Sequence, residues 1–140
     1  LHTLSLHDAL PILGIERTNS VTELAEIYSA ADVFVNLTLE ENYPTVNLEA
    51  QACGTPIITF DTGGSVETID DTTGFIVEKG NLEEAIKKIR KIKLEGKKKY
   101  SESCINRANK YYNKNDKFQE YIELYKDILE EVAYDKRLSN

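Results

Sequence analysis

From Ser20 onward the apolar residues alternate between helical and strand spacing. Leu24, Ala25, Ile27 and Tyr28 follow Ser20 and Glu23 at helical intervals, and S-x-x-E is a capping box: Ser20 as N-cap, Glu23 reaching back. Residues 33–37, VFVNL, form a β-branched and aromatic run that reads as a buried strand. A helix is predicted from Thr45 to Cys53, with Pro44 suited to its first position and Gly54 to a left-handed closing residue. Residues 56–60, PIITF, and 74–77, GFIV, read as two further strands, separated by a TGGS turn and a short helical turn at VETI. Asn81 caps the next helix with Glu84 three residues on, and Leu82, Ala85, Ile86, Ile89 and Ile92 make its apolar stripe. EGKKK interrupts the chain, and two amphipathic helices end it. The last spans about Asn115–Ala133, with Phe118, Tyr121, Ile122, Tyr125, Ile128 and Leu129 expected to face inward.

Short apolar strands alternating with helices predict an α/β fold, a Rossmann-like parallel sheet flanked by helices. Ligands in such sheets bind at the carboxyl ends of the strands. That directs attention to residues 37–44 after the first strand, 61–66 after the second and the VEKGN turn after the third. The first two loops carry the unusual polar chemistry.

Composition narrows the function. The 140 residues suffice for one domain with a core. A net charge of −7 with no basic face argues against nucleic-acid binding through phosphate neutralisation. No apolar run is long enough to cross a bilayer. Cys53 and Cys104 have no metal-ligand spacing and read as two buried or free thiols in a reducing compartment rather than a disulfide framework. KKIRKIKLEGKKK, 87–99, offers a contact to anionic lipid, but its isoleucines belong to the helix stripe and a solvated helix face is the favoured reading.

The first residues differ from the rest. LHTLSLHDALPIL holds both histidines, His2 and His7, and four leucines within its first ten residues. Thr3–Ile12 resembles the in-frame translation of a sequencing adapter, so residues 1–12 are expected to be a non-native segment and are set aside from fold reasoning. The expected organisation is then an α/β nucleotide-sugar-binding domain over 13–95 and C-terminal helices over 96–140.

Glu41 lies in the loop after the first strand, and Glu49 lies roughly 6 Å along the following helix. Between them, the helix N-terminus offers unpaired N–H groups to a phosphate, from Tyr43, Thr45 and Val46 because Pro44 has none. Carboxylates accept hydroxyls, so two of them flanking a phosphate site suit a ligand with hydroxyls at both ends, such as a sugar nucleotide. From the residues alone the plainer reading is favoured: Glu40 and Glu41 complement the helix dipole, and Glu49 is solvated.

Four ordered blocks change that balance. Glu41 and Glu49 match an E-x7-E motif, NLEAQACGTPIIT the segment after it, DTGGSVETI and TGFIVE the next two blocks, and AADVFVNLT the strand leading in. Together they resemble the retaining GT-B glycosyltransferases of family 4 (glycosyl transferases group 1), over roughly residues 14–92. The resemblance implies the C-terminal, donor-binding half of a GT-B fold, here truncated at its N-terminus. It implies that Glu49 holds the ribose hydroxyls and that Glu41 contacts the transferred sugar beside the reacting centre. The amides of Asn42, Tyr43, Thr45 and Val46 would face sugar and diphosphate, and Gly63 and Gly64 would keep the second loop small beside the donor; Glu67 belongs to that block without a clear role.

The implied reaction moves a sugar from a nucleotide-diphosphate donor to an acceptor hydroxyl with retention, without metal or other cofactor. The acceptor, a saccharide or lipid-linked group, would be held by a missing N-terminal domain, and the intact protein would be cytoplasmic with peripheral membrane contact. Two departures stand out. ENYPTV replaces the family's common EGFGLP, so Pro44 removes a donor. No Lys or Arg occurs between Arg17 and Lys79, although a diphosphate leaving group needs positive charge. The isolated chain is therefore expected to be inactive, a fragment of a longer gene product. A nucleotide-binding module without catalysis and a GT-B-like sugar-nucleotide epimerase are the alternatives; the epimerase would need an acid/base pair, and no histidine remains to serve.

Overall fold

The computed structural model describes residues 12–138. The adapter-like segment therefore lies outside the described residues except for Ile12. Ser20 caps α1 (Val21–Ala30) by accepting from the Glu23 amide at 3.1 Å. The Glu23 carboxylate reaches back one residue further than the capping box predicts, to the Asn19 amide at 2.6 Å. Then follow β1 (Phe34–Asn36), α2 (Thr45–Ala52), β2 (Ile57–Phe60), a 3₁₀ helix (Gly63–Thr68), β3 (Gly74–Val77), α3 (Leu82–Glu95), α4 (Lys98–Tyr112) and α5 (Lys114–Leu138). The separate turn and helical turn expected at TGGS and VETI are one continuous 3₁₀ helix.

The strands form a parallel sheet in the order β1-β2-β3, with Phe34 opposite Ile57 and Ile57 opposite Gly74. Strand alternation sends β2 side chains to both faces. Ile58 and Phe60 join Val77, Ala85, Ile92, Tyr100 and Cys104 beneath α3 and α4. Ile57 joins Tyr28, Ala50 and Ile69 beneath α1 and α2. Gly74 is needed where β3 begins beside β2, since a Cβ there would lie 2.0 Å from the Ile57 carbonyl oxygen.

Asn81 caps α3 as expected, accepting from the Glu84 amide at 3.0 Å. Gly54, at φ +70°, closes α2 in the left-handed region.

Four expectations need correction. Pro44 is the N-cap of α2 rather than its first helical residue. The first strand is shorter than 33–37, and its Val35 is 39 % exposed, on a face of the sheet that α3 and α4 leave partly uncovered at this edge strand. The α3 stripe is narrower, with Ala85 and Ile92 buried but Leu82 and Ile86 exposed. The inward face of the last helix is not inward: Phe118, Tyr121, Ile122, Tyr125, Ile128 and Leu129 are 45–68 % exposed. The helix leaves the body after Asn113, so its periodicity aligns these side chains without supplying a surface to bury them. None of the helices among the described residues is long and apolar enough to cross a membrane.

Candidate functional site: two loops at the carboxyl edge of the sheet

The loops after β1 and β2 touch through backbone. The Gly64 amide donates to the Asn42 carbonyl at 2.7 Å, and the Thr62 hydroxyl donates to the Thr38 carbonyl at 3.2 Å. A Cβ on Gly63 would lie 1.6 Å from the Glu41 carbonyl oxygen, and Gly63 also sits at φ +47°. On Gly64 it would lie 2.1 Å from the Asn42 oxygen. Gly63 and Gly64 thus have a job visible in the fold: they let the Glu41–Tyr43 segment lie against the 3₁₀ helix.

That contact places Glu41 half-buried at the loop junction. One carboxylate oxygen accepts from the Asn42 amide at 3.1 Å, and the other is 3.5 Å from the Thr38 hydroxyl. Asn42, of the four residues expected to offer amides, therefore has its N–H turned to Glu41. Thr45 and Val46 are exposed and open α2, where the first amides have no acceptor within the helix. Tyr43, also exposed, donates its hydroxyl to that of Tyr112 at 3.1 Å. Burial, then this bond, pushes the Tyr43 phenol up to about 12.

Glu49 lies one turn into α2, exposed, on a different side from the buried Asn47, Ala50 and Gln51. Its Oε2 accepts from the Tyr28 hydroxyl at 3.1 Å. Glu49 forms part of the wall of a largely apolar groove of about 320 Å³ between α1 and α2, with Val21, Leu24, Ala25, Tyr28 and Cys53. Glu41 and Glu49 therefore stand on either side of the α2 N-terminus, one on the loop and one facing the groove.

A buried polar ladder lies under the loops. Asn36 on β1 donates to the Asn47 side-chain oxygen at 3.1 Å, and Asn47 donates to the Thr68 hydroxyl at 2.9 Å. The Thr68 hydroxyl donates to the Ser65 carbonyl at 2.6 Å, and Gln51 donates to the Thr68 carbonyl. Arg107 from α4 closes the far end. Its Nε donates to the Thr68 carbonyl at 3.1 Å, Nη2 to the Glu67 carbonyl at 2.8 Å and Nη1 to the Asp70 carboxylate at 2.8 Å. Burial raises Asp70, but the Thr72 hydroxyl and amide and the Arg107 charge outweigh it and hold the carboxyl below its ordinary range.

Sequence reasoning missed Asn36, Asn47, Gln51, Thr68 and Arg107. The only local signal was an asparagine inside a strand and another inside a helix, each breaking an apolar pattern. Arg107 gave none, lying 39 residues from Thr68. Three of its five N–H groups are engaged by the 3₁₀ helix and Asp70, and with Tyr43 and Tyr112 it lines a neighbouring cleft rather than standing in either loop.

The family model described as glycosyl transferases group 1 matches residues 14–111. The capsular polysaccharide biosynthesis glycosyltransferase CapM of Staphylococcus aureus is 38% identical over 73 residues, 51% of this chain and 19% of that protein. A D-inositol 3-phosphate glycosyltransferase of Paenarthrobacter aurescens is 44% identical over 57 residues, 40% of this chain and 14% of that protein. An alpha-maltose-1-phosphate synthase of Mycobacterium tuberculosis is 40% identical over 67 residues, 47% of this chain and 17% of that protein. The match thus spans less than a fifth of each of these relatives. With its parallel sheet, flanking helices and a family match over more than half its length, the chain belongs to the glycosyl transferases group 1 family.

Proposed function

We propose that this chain is the donor-binding part of a retaining glycosyltransferase of the family 4 type, which passes a sugar from a nucleotide diphosphate to an acceptor hydroxyl. The observation that carries the reading is the pair of carboxylates about the open end of α2. Glu41 is held on the glycine-sealed loop, and Glu49 stands one turn along the helix beside an apolar groove. A nucleotide sugar has matching chemistry in the same order: sugar hydroxyls, diphosphate, ribose hydroxyls and base.

In this reading Glu49 accepts the ribose hydroxyls, and Glu41 accepts a sugar hydroxyl next to the carbon that reacts. The amides of Tyr43, Thr45 and Val46 face the diphosphate and sugar; the Asn42 amide joins them once Glu41 turns toward the donor. No metal or other cofactor is assigned a role. The acceptor is a saccharide or a lipid-linked group bound by another part of a longer protein.

Charge development on the leaving diphosphate is stabilised by fixed donors and cations. The loops supply amides but no Lys or Arg, since none occurs between Arg17 and Lys79. The 140-residue chain alone is therefore expected to bind nucleotide without transferring sugar. Two measurements test the reading. Calorimetric titration with nucleoside diphosphates should show affinity that falls in Glu49→Gln. Turnover of the longer protein should fall by about a hundredfold or more in Glu41→Gln, as when a group at the reacting centre is removed. Sugar transfer by the isolated chain, or full turnover after Glu41→Gln, would overturn it.

A further inference from the structure

The two carboxylates of the proposed donor site are held differently. Glu41 bonds within its own loop, whereas Glu49 reaches across to α1, where the Tyr28 hydroxyl donates to its Oε2 at 3.1 Å. No partner for Glu49 Oε1 occurs among the described residues, and the side chain is exposed.

Tyr28 is fixed from three directions. The residue is 8% exposed, and its ring packs edge-on to Phe34 with centroids 5.4 Å apart. It shares a buried cluster with Ala50, Ile57 and Ile69. Its backbone carbonyl accepts the Thr55 hydroxyl at 2.6 Å, and the Lys97 ammonium lies 3.5 Å from the same oxygen. The phenol keeps its proton at neutral pH, as an ordinary tyrosine does, and burial first and the Glu49 charge second push its pKa further, up to about 12.

A glutamate on a helix surface ordinarily samples several rotamers, and a ligand must select one of them. A donor rooted in the core removes that freedom in advance, as supporting hydrogen bonds do around other binding groups. Building on the donor-site reading above, we infer that Tyr28 is the positioning residue for Glu49: its hydroxyl holds one carboxylate oxygen so that the other is aimed at the vicinal hydroxyls of the donor's ribose.

Tyr28→Phe removes the hydroxyl and keeps the packed ring, so it separates positioning from folding. The test titrates the 140-residue chain with uridine, adenosine and guanosine diphosphates and with their 2′,3′-dideoxy counterparts, by NMR shift perturbation. The readout is the ratio of ribo to dideoxy affinity. The wild-type ratio should be about tenfold for the base that binds best, a hydrogen bond to a charged carboxylate being of that size. Glu49→Gln should collapse the ratio toward one. Tyr28→Phe should lower it to roughly threefold while leaving dideoxy affinity unchanged and the unfolding transition cooperative.

Both affinities falling together with the loss of a cooperative unfolding transition in Tyr28→Phe would mean that the hydroxyl serves the fold and not the aim of Glu49, which overturns the inference. A ratio that collapses in Glu49→Gln but survives in Tyr28→Phe overturns the role of Tyr28 and leaves the donor-site reading standing. A wild-type ratio near one, or one unaffected by Glu49→Gln, overturns both.

Discussion

Gly64 has no room for a side chain: a Cβ would press on the Asn42 carbonyl at 2.1 Å and on the Tyr43 ring at 2.9 Å. The clash is with backbone, so the loop must move. Gly64→Ala should therefore destabilise the chain by about 1–3 kcal/mol, as overpacking does. A urea midpoint lower than wild type, with amide shifts concentrated at Glu41–Thr45, is the expected result. Asp70 makes a second prediction. Its folded pKa is depressed, so its contribution to stability is complete above the ordinary carboxylate range and is lost as pH falls through the folded value. Asp70→Asn should flatten the acid limb of the stability curve below about pH 4. Arg107→Ala should do the same and also loosen the 3₁₀ helix, which hydrogen exchange at Ser65–Thr68 would report. At this scale the sequence was legible where a residue advertises its chemistry locally. Glu41, Glu49 and the Gly63–Gly64 pair stand in recognisable order. Asn47 and Arg107 act through partners distant in the chain, Asn36 and Thr68 for one and the 3₁₀ helix for the other, and no local pattern encodes such pairings.

Among elements, α5 departs furthest from expectation. Every described side chain from Phe118 to Tyr134 is exposed, though the helical spacing of the apolar ones is regular. Hydrophobic periodicity reports which residues share a face; it does not report what lies opposite. The double substitution Ile122→Ser with Leu129→Ser should accordingly leave the unfolding midpoint of the α/β body unchanged, within about 0.5 kcal/mol. A larger loss would mean that this face packs on the body after all. The three strands and α1 to α4 were legible because caps and breakers bracket them: Ser20, Asn81, Gly54 and Gly96 all stand at helix ends. Pro44 shows the limit of such signals. It starts the helix as expected but from outside the first turn, a shift of one residue that only the backbone reveals.

For the molecule as a whole, charge sets the terms of ligand capture. The chain carries −7, and the loops after β1 and β2 have acids but no Lys or Arg. The α2 N-terminus offers a phosphate only the modest attraction of a helix end, about 0.3–1 kcal/mol at an exposed site. A nucleoside diphosphate should therefore bind this chain no more than roughly tenfold tighter than the nucleoside itself. A much steeper dependence on the phosphates in calorimetry would locate a cationic contact from outside these two loops.

The Asn36–Asn47–Thr68 ladder has one more consequence, for alignment. Side chains alternate along β1, so sliding that strand by one residue against β2 would exchange Asn36 for Val35 or Leu37 at the same height. An apolar group would then meet Asn47, which would lose its Asn36 partner inside the core. That orphaned amide would cost about 1–3 kcal/mol. The asparagines thus work as a key that only one strand pairing fits. Because Glu41 follows β1 by five residues and Glu49 lies two beyond Asn47 on α2, the same key indexes both carboxylates to the sheet.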